Sequence, residues 1–196
     1  MTPEGSLRDR LITAGLTLIE RDGVAGMTLR KTAALAGVSH AAPAHHFDGL
    51  SGLLTAMAAR AFQLFAEALI AGRDRAGGDP FQRLLGLTQG YLDFAKDHAG
   101  LFHLMFVAPE VDRSDPALMP HAALSYQVLR DSCLPFAMPG AAQDPALETA
   151  VWSLVHGYAM LGFAASGHDR PAGPVPFPVL LQELLSARRS APPNRA

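Results

Sequence analysis

Cysteine and long apolar runs are nearly absent from this sequence of 196 residues. The single cysteine, Cys133, excludes an intramolecular disulfide, and we expect it to be a buried small hydrophobic residue rather than a reactive thiol. Residues 1–10 are polar and charged, so they do not resemble a secretory signal peptide. No apolar run approaches the roughly 18 residues that a membrane-spanning helix needs. We therefore expect a cytoplasmic protein with no membrane partner.

Strand patterns are missing as well. Apolar residues do not alternate with period two, and runs of β-branched residues are lacking, whereas helical spacing recurs along the chain. Hydrophobic residues make up 49% of the sequence, which is typical of a globular protein with a full core. The predicted fold class is all-α, with about nine helices. Only two of the 16 basic residues are lysine. Together with frequent Ala, Gly and Pro, this bias suggests a GC-rich bacterial genome.

Motifs of catalysis are also absent. The sequence has no Gly-x-Ser-x-Gly elbow, no P-loop and no Cys-x-x-Cys pair. The histidines of the second half lack metal-ligand spacing; they are His98, His103, His121, His156 and His168. We expect no catalytic residues, no metal and no cofactor. The chain is not predicted to be an enzyme, and an α-helical enzyme remains only a third alternative.

The charge balance does not indicate a general affinity for nucleic acid. The net charge is −2, and residues 1–50 contain five basic and five acidic side chains. Any DNA affinity must therefore come from the local placement of charge.

The most informative segment that is present runs from Thr28 to Phe47. It predicts two short helices, 29–35 and 40–46, joined by a tight turn at Gly37. Thr28 and Ser39 are good N-caps for them, and Gly37 occupies a turn position where φ is expected to be positive. A helix-turn-helix of this kind places its second helix in the major groove of DNA. On spacing alone, an ordinary helical hairpin is an equal alternative.

The exposed side chains of this segment suit contacts with DNA. Small residues let a helix approach the groove and touch thymine methyls, and histidines can donate to base edges or phosphates. Hydroxyl groups and backbone N–H groups at helix N-termini suit phosphate oxygens. The predicted DNA-binding residues are Thr28, Arg30, Ser39, His40, Ala41, Ala44, His45 and His46.

Residues 6–54 resemble the N-terminal domain of TetR-family transcriptional regulators. The matching features are the helix ending at Asp22-Gly23, then Thr28-Leu29-Arg30, Ala33, Ala36-Gly37-Val38-Ser39, His45-His46-Phe47 and Leu53-Leu54. The resemblance implies an operator-binding head and a helical C-terminal domain that binds a small effector. It favours DNA binding over the simple hairpin.

Two positions depart from the family pattern. Ala44 stands where the family usually carries a tyrosine, and Leu50 stands where it often carries a lysine; both family residues typically contact phosphate. Pro43 is unusual inside a recognition helix, because it lacks the N–H that would bond back to Ser39. These departures imply a different set of contacts with the phosphates of the DNA backbone.

The predicted domains are residues 1–50 for DNA binding, 51–188 for effector binding and dimerisation, and a disordered tail, 189–196. Loops rich in glycine and proline are predicted between the later helices, and the first of these loops runs from Gly72 to Asp79. The predicted helices span residues 6–22, 29–35, 40–46, 49–71, 80–98, 101–107, 122–133, 145–165 and 178–188.

Aromatic residues recur on the C-terminal helices, where core packing is the simplest explanation. By resemblance, some of them line an apolar effector pocket. The predicted effector-binding residues are Phe62, Phe65, Phe94, Phe102, Phe106, Tyr126, Trp152 and His156. The segment 151–162 also resembles a Trp-His-Gly signature of one C-terminal domain class in the family. Trp152 and His156 share a helix face, which fits a structural contact or a ligand sensor.

The helical stretches 145–165 and 178–188 resemble the family's dimerisation helices. A bundle across a two-fold axis is expected to bury Leu154, Val155, Leu161, Leu180, Leu181, Leu184 and Leu185. Dimerisation would also place two heads on major grooves roughly 34 Å apart. The sequence thus predicts a homodimeric repressor with operator DNA and a small, largely apolar effector as partners. The alternative is a helical dimer that binds a small molecule but not DNA.

Overall fold

A computed structural model of the protein describes residues 5–138, 140–164 and 175–190. This part contains eight α-helices, three short 3-10 helices and no strand, which confirms the all-α prediction. The α-helices are α1 (Leu7–Asp22), α2 (Leu29–Leu35), α3 (Gly49–Ala76), α4 (Pro80–Asp97), α5 (Ala99–Phe106), α6 (Met119–Cys133), α7 (Pro145–Ala164) and α8 (Phe177–Ser190). The 3-10 helices are Val24–Gly26, Ala42–His45 and Leu134–Phe136.

The predicted C-terminal tail is only partly within the described residues. Residues 189 and 190 belong to α8, so this part of the prediction is wrong. Residues 191–196 lie outside the described ranges, as do residues 171–174 and His168.

The chain divides into two compact units. Unit 1 comprises Met1–Glu67 and Asp97–Ser125, and unit 2 comprises Ala68–Lys96 and Tyr126–Ala196. The chain passes from one unit to the other inside α3, at the end of α4 and inside α6. The division of functions expected at residues 50 and 188 stays a prediction.

Helix α1 shows how local sequence sets the start and end of a helix. Ser6 and Asp9 form a capping box, in which each side chain accepts the backbone N–H of the other. Gly23, with φ of 72°, ends the helix as expected. Leu11, Leu18 and Ile19 are at most 3% exposed, so the apolar face inferred from the sequence forms part of the core of unit 1.

Helix α3 is longer than the sequence predicted. It runs five residues beyond Ala71, so Gly72 is helical rather than the start of a loop. A Cβ at Gly72 would meet the carbonyl oxygen of Gly86 and would lie 3.2 Å from the Gly90 Cα. Gly72 therefore serves a close helix crossing within unit 2, where any side chain would separate the two backbones.

Helix α3 is also long and apolar enough to cross a membrane, with a mean hydropathy of 1.4 over its most apolar window. The expectation that no apolar stretch reaches this length was therefore wrong. Within the protein, 67% of that window is buried, as for a core helix.

Helices α7 and α8 pack against each other in unit 2. Asp144 caps α7 by accepting the Leu147 N–H at 3.0 Å, and Arg188 of α8 forms an ion pair with Asp144 at 2.6 Å. Val155, Leu181 and Leu185 are at most 4% exposed. These three side chains already pack inside their own chain, which corrects their assignment to an intersubunit bundle.

Candidate functional site

Helix α2 and the turn after it have the predicted geometry. The Thr28 hydroxyl accepts the Lys31 N–H at 3.2 Å, which confirms Thr28 as the N-cap. Gly37 has φ of 69°, as expected. The N–H groups of Gly37 and Val38 reach the Ala34 and Ala33 carbonyls at 3.2 and 3.0 Å. This pattern is a Schellman motif, which satisfies the last carbonyls of the helix.

The predicted recognition helix, residues 40–46, is not an α-helix. The segment forms only a 3-10 helix, Ala42–His45, and Ala41 stands at its N-cap without a side-chain hydrogen bond. Ser39 is therefore not the N-cap that the sequence predicted. Pro43 supplies the physical reason, because it has no N–H to donate to the Ser39 carbonyl. The Ala42 and Ala44 N–H groups instead make three-residue turns to Ser39 and Ala41.

All of the predicted DNA-binding positions are on the surface of the head, which we define as residues 28–47. Every one of them is exposed, whereas the side chains of Pro43 and Phe47 are buried and anchor the segment in the protein. The exposed set is Thr28, Arg30, Ser39, His40, Ala41, Ala44, His45 and His46. The surface of the head therefore exposes mainly small and polar side chains that a binding partner could contact.

Arg30 differs from the other basic residues of the N-terminal region. Arg10 donates to the Ala36 carbonyl at 2.7 Å, Arg21 pairs with Asp22, and Lys31 donates to the Gly26 carbonyl at 2.7 Å. Arg8 lies over the Phe47 ring, 5.4 Å from its centroid. Among the described residues, Arg30 has no such partner, so its guanidinium is available to an external anion.

The end of α1 is fastened to the start of α5 within unit 1. His98 Nδ1 and Glu20 Oε1 are 2.7 Å apart. A Cβ at Gly100 would lie 2.6 Å from the Ile19 carbonyl oxygen. The absence of a side chain at Gly100 thus lets α5 contact the α1 backbone directly. This connection could not be predicted from the sequence, because no local pattern pairs Glu20 with His98, 78 positions away.

Four of the predicted effector-binding residues form one aromatic cluster in unit 1. Phe106 contacts Phe62, Phe65 and Phe102, with ring centroids 5.6, 6.0 and 4.8 Å away. Phe62, Phe65 and Phe102 are at most 8% exposed. This cluster accounts for their helical spacing as core packing, the simpler of the two explanations.

The other four predicted effector-binding residues are in unit 2. Phe94 is buried, whereas Tyr126 and Trp152 are 36% and 41% exposed and their ring centroids are 5.9 Å apart. His156 is half-buried, and its Nδ1 lies 2.7 Å from the Tyr91 hydroxyl. This part of the set gives unit 2 a partly open aromatic surface.

The Tyr91 hydroxyl forms hydrogen bonds with both His156 and Trp152, a role that could not be predicted from the sequence. Burial raises the pKa of Tyr91 well above its usual value, and a hydrogen bond with Trp152 opposes that rise. Burial also lowers the pKa of His156. The spacing of four residues correctly predicted that Trp152 and His156 lie on one face of α7, but it contained no sign of Tyr91.

The buried Glu148 carboxylate is hydrogen-bonded within the protein, and the Cys133 thiol lies in the core. The Tyr126 hydroxyl donates to Glu148 Oε2 at 2.6 Å, and this bond raises the pKa of Tyr126. Glu148 in turn accepts the Asp144 N–H. Cys133 is 1% exposed, which confirms it as a buried residue, and burial raises the pKa of its thiol to about 12. No group of three metal-ligating side chains is present among the described residues.

These features define a class of all-α proteins in which a helix-turn-helix-like head is followed by further helices in one chain. Residues 84–174 match a family model described as "Tetracyclin repressor-like, C-terminal domain". Over 86 residues the chain is 34% identical to the HTH-type transcriptional regulator BetI of Stenotrophomonas maltophilia (strain R551-3). That match covers 44% of each protein, so it spans less than half of the relative's length.

Solved structures share the fold over nearly the whole chain. A protein with unknown function from Rhodococcus sp. RHA1 is 27% identical, with coverage of 95% of this chain and 96% of that one and a TM-score of 0.72. A TetR family transcription regulator from Marinobacter aquaeolei VT8 is 16% identical, with coverage of 92% and 94% and a TM-score of 0.62. The predicted resemblance to TetR-family regulators is thereby confirmed. The Trp-His-Gly class is not specified by these matches and stays a prediction.

Proposed function

We propose that the protein is a homodimeric transcriptional repressor that binds a palindromic operator and is released by a small, largely apolar effector. The observation that carries this proposal is the head, where all eight expected DNA-binding positions are exposed. Arg30 adds a free cation at the start of α2. The proposed activity is binding in the cytoplasm, without a catalytic step.

The composition of the head determines how it would bind. Ala44 and Leu50 supply no phosphate contact, so backbone affinity would depend on Arg30 and on the hydroxyl and N–H groups of Thr28 and Ser39. His40 and His45 are left to discriminate bases. Few phosphate contacts mean a shallow dependence of affinity on salt.

The effector would contact the aromatic surface of unit 2. Tyr126, Trp152 and His156 combine exposed ring area with polar groups, as small-molecule sites usually do. An effector changes the spacing of two heads only if it binds one spacing better than the other, and a coupling of about 1–3 kcal/mol is usual.

Dimerisation would use the exposed apolar parts of α7 and α8. Leu161 and Val179 are 56% and 44% exposed, and Leu154, Leu180 and Leu184 line a groove of about 590 Å³ between the two helices. An unpartnered apolar surface of this kind is typical of an interaction site.

The test measures binding of labelled DNA from upstream of the protein's own gene at several salt concentrations. We expect Arg30→Ala to weaken binding to all sequences and to reduce the salt slope by about 1, because one phosphate contact is lost. Arg21→Ala is the matched control, since Arg21 already pairs with Asp22. An Arg30→Ala slope equal to that of the wild type would contradict the proposed contact.

A binding-site selection tests the groove contact separately. We expect His40→Ala to change the preferred bases, because a base-edge hydrogen bond is removed. An unchanged preference would show that the groove is not entered as proposed.

The second candidate is a helical dimer that binds a small molecule but not DNA. It is favoured by Ala44 and Leu50, by the balanced charge of residues 1–50, and by the short 3-10 helix in place of a recognition helix. The absence of specific DNA binding even at low salt would support it.

A further inference from the structure

Unit 1 contains a cleft of about 460 Å³ that the proposed DNA and effector contacts do not use. One wall is the start of α1, and the opposite wall is the first half of α3. Residues between Asp115 and His121 close the third side. The volume falls within the range of small-molecule sites.

The first turns of α3 line the cleft with small apolar residues, whereas Arg60 and Gln63 of the same helix and Thr13 of α1 make the rest of the lining polar. Gly52, Ala56 and Ala59 are four and three residues apart, so they share one face of the helix. Ala56 and Ala59 are each 8% exposed, and Ile12 of α1 is 7% exposed. Small residues on α3 leave room between the two helices for the apolar body of a ligand.

Two guanidinium groups line the same cleft, Arg8 from α1 and Arg60 from α3. Neither forms an ion pair with any described residue. Arg8 is held over the Phe47 ring, and Arg60 is exposed. A planar guanidinium pairs well with a carboxylate, which it can hold by two parallel hydrogen bonds.

The carboxylates of the cleft are already occupied by local hydrogen bonds. Asp9 Oδ2 accepts the Ser6 hydroxyl at 2.7 Å, and Asp115 Oδ1 accepts the Ala117 N–H at 2.7 Å. The bonds from Ser6 lower the pKa of Asp9, and the charges of Arg8 and Arg60 lower it further. Arg8 and Arg60 line the cleft together with Asp9, and neither arginine forms a direct ion pair with a described carboxylate.

We propose that this cleft binds a small monocarboxylic acid with an apolar body. The carboxylate lies between Arg8 and Arg60, and the body lies against Ile12, Ala56 and Ala59. Such a ligand touches α1, α3 and the Asp115–His121 segment together, so it fixes the position of α1 within unit 1. The further step, an altered DNA affinity, rests on the proposed function.

Calorimetric titration of the full chain without DNA tests the site, with 2-naphthoate and its neutral analogue 2-naphthamide as probes. We expect the acid to bind about tenfold more tightly than the amide, since each guanidinium contact favours the anion. Arg60→Gln should lower the affinity for the acid but leave part of its preference over the amide, because the Arg8 contact remains, and Arg60→Lys should retain more of that preference. Arg83→Gln, an exposed α4 arginine that faces Asp74 at 3.6 Å, is the matched control and should bind like the wild type.

Three results would overturn the proposal: equal affinity for acid and amide, unchanged affinity in Arg60→Gln, or a dissociation constant for the acid weaker than about 1 mM. Thermal unfolding of each variant verifies that it is folded. Binding of the acid by a protein that fails to bind DNA would reject the proposed function and keep the site. DNA binding by a protein that does not bind the acid would reject the proposed carboxylate site and keep the proposed function.

Discussion

At the scale of single residues, Pro43 accounts for the conformation of residues 40–46. It is buried, it removes one backbone donor, and the chain around it forms three-residue turns. Replacing it restores the donor, so residues 40–46 gain the option of a regular α-helix.

We therefore expect Pro43→Ala to convert residues 40–46 toward an α-helix, which NMR chemical shifts of the backbone would show. Pro80→Ala is the matched control, because Pro80 occupies the first turn of α4, where the missing N–H has no helical partner. If the Pro43→Ala shifts stayed those of a 3-10 turn, another residue would be the cause.

His156 is the second residue with a measurable consequence. Burial lowers its pKa below the value of about 6.5 that it has in an unfolded chain. Protonation therefore favours the unfolded state, so the stabilising contribution is complete above pH ~6.5 and is lost as the pH falls.

We expect the free energy of unfolding to fall less between pH ~7.5 and ~5 in His156→Gln than in the wild type. Denaturant titrations at each pH measure this difference. His103→Gln is the control, since His103 is exposed. Parallel pH profiles for all three proteins would exclude His156 as the group responsible.

At the scale of helices, contacts between backbones depend on single missing side chains. The α1–α5 contact at Gly100 and the α3–α4 crossing at Gly72 and Gly86 both leave no space for a Cβ. These positions do not tolerate a larger residue, because the atom that an added Cβ would meet belongs to the backbone and cannot move aside by a change of rotamer.

We expect Gly100→Ala to lower the free energy of unfolding by about 1–3 kcal/mol, the usual cost of overpacking. Gly52→Ala is the control: its Cβ would have no neighbour nearer than 3.5 Å, so the helix propensity of alanine should stabilise α3 slightly. Urea titration compares the two, and equal stabilities would mean that α5 shifts without cost.

The sequence predicted most helix positions, because their signals are local. Ser6, Gly23, Thr28 and Gly37 each act through residues at most five positions away. Gly72 was misjudged as a breaker, since its role depends on Gly86 and Gly90. The cleft between α1 and α3 was missed for the same reason: Arg8 and Arg60 are far apart in sequence.

At the scale of the whole molecule, the proposed two-fold assembly would account for exposed apolar residues that the single chain does not bury. We expect a dimer in light scattering at micromolar concentration. Leu184→Glu should give monomers, because it places a charge in the groove between α7 and α8.

Val107→Glu is the matched control for this experiment. Val107 is an exposed apolar residue, at 42%, that belongs to unit 1, and its replacement should leave the dimer intact. A monomeric wild type, or a dimeric Leu184→Glu, would remove α7 and α8 as the interface.

The turn at Gly37 and the proline at position 43 bear on the rate at which the proposed operator would be bound. The ring of Pro43 fixes its φ in the free protein, and the turn at Gly37 is closed by the hydrogen bonds of the Gly37 and Val38 N–H groups to Ala34 and Ala33. If the head binds an operator as proposed, no segment of it has to fold on the DNA, so capture would proceed at the ordinary docking rate of about 10⁵–10⁷ M⁻¹s⁻¹. Operators of different sequence should consequently differ in how long the protein stays bound, and hardly at all in how fast it arrives.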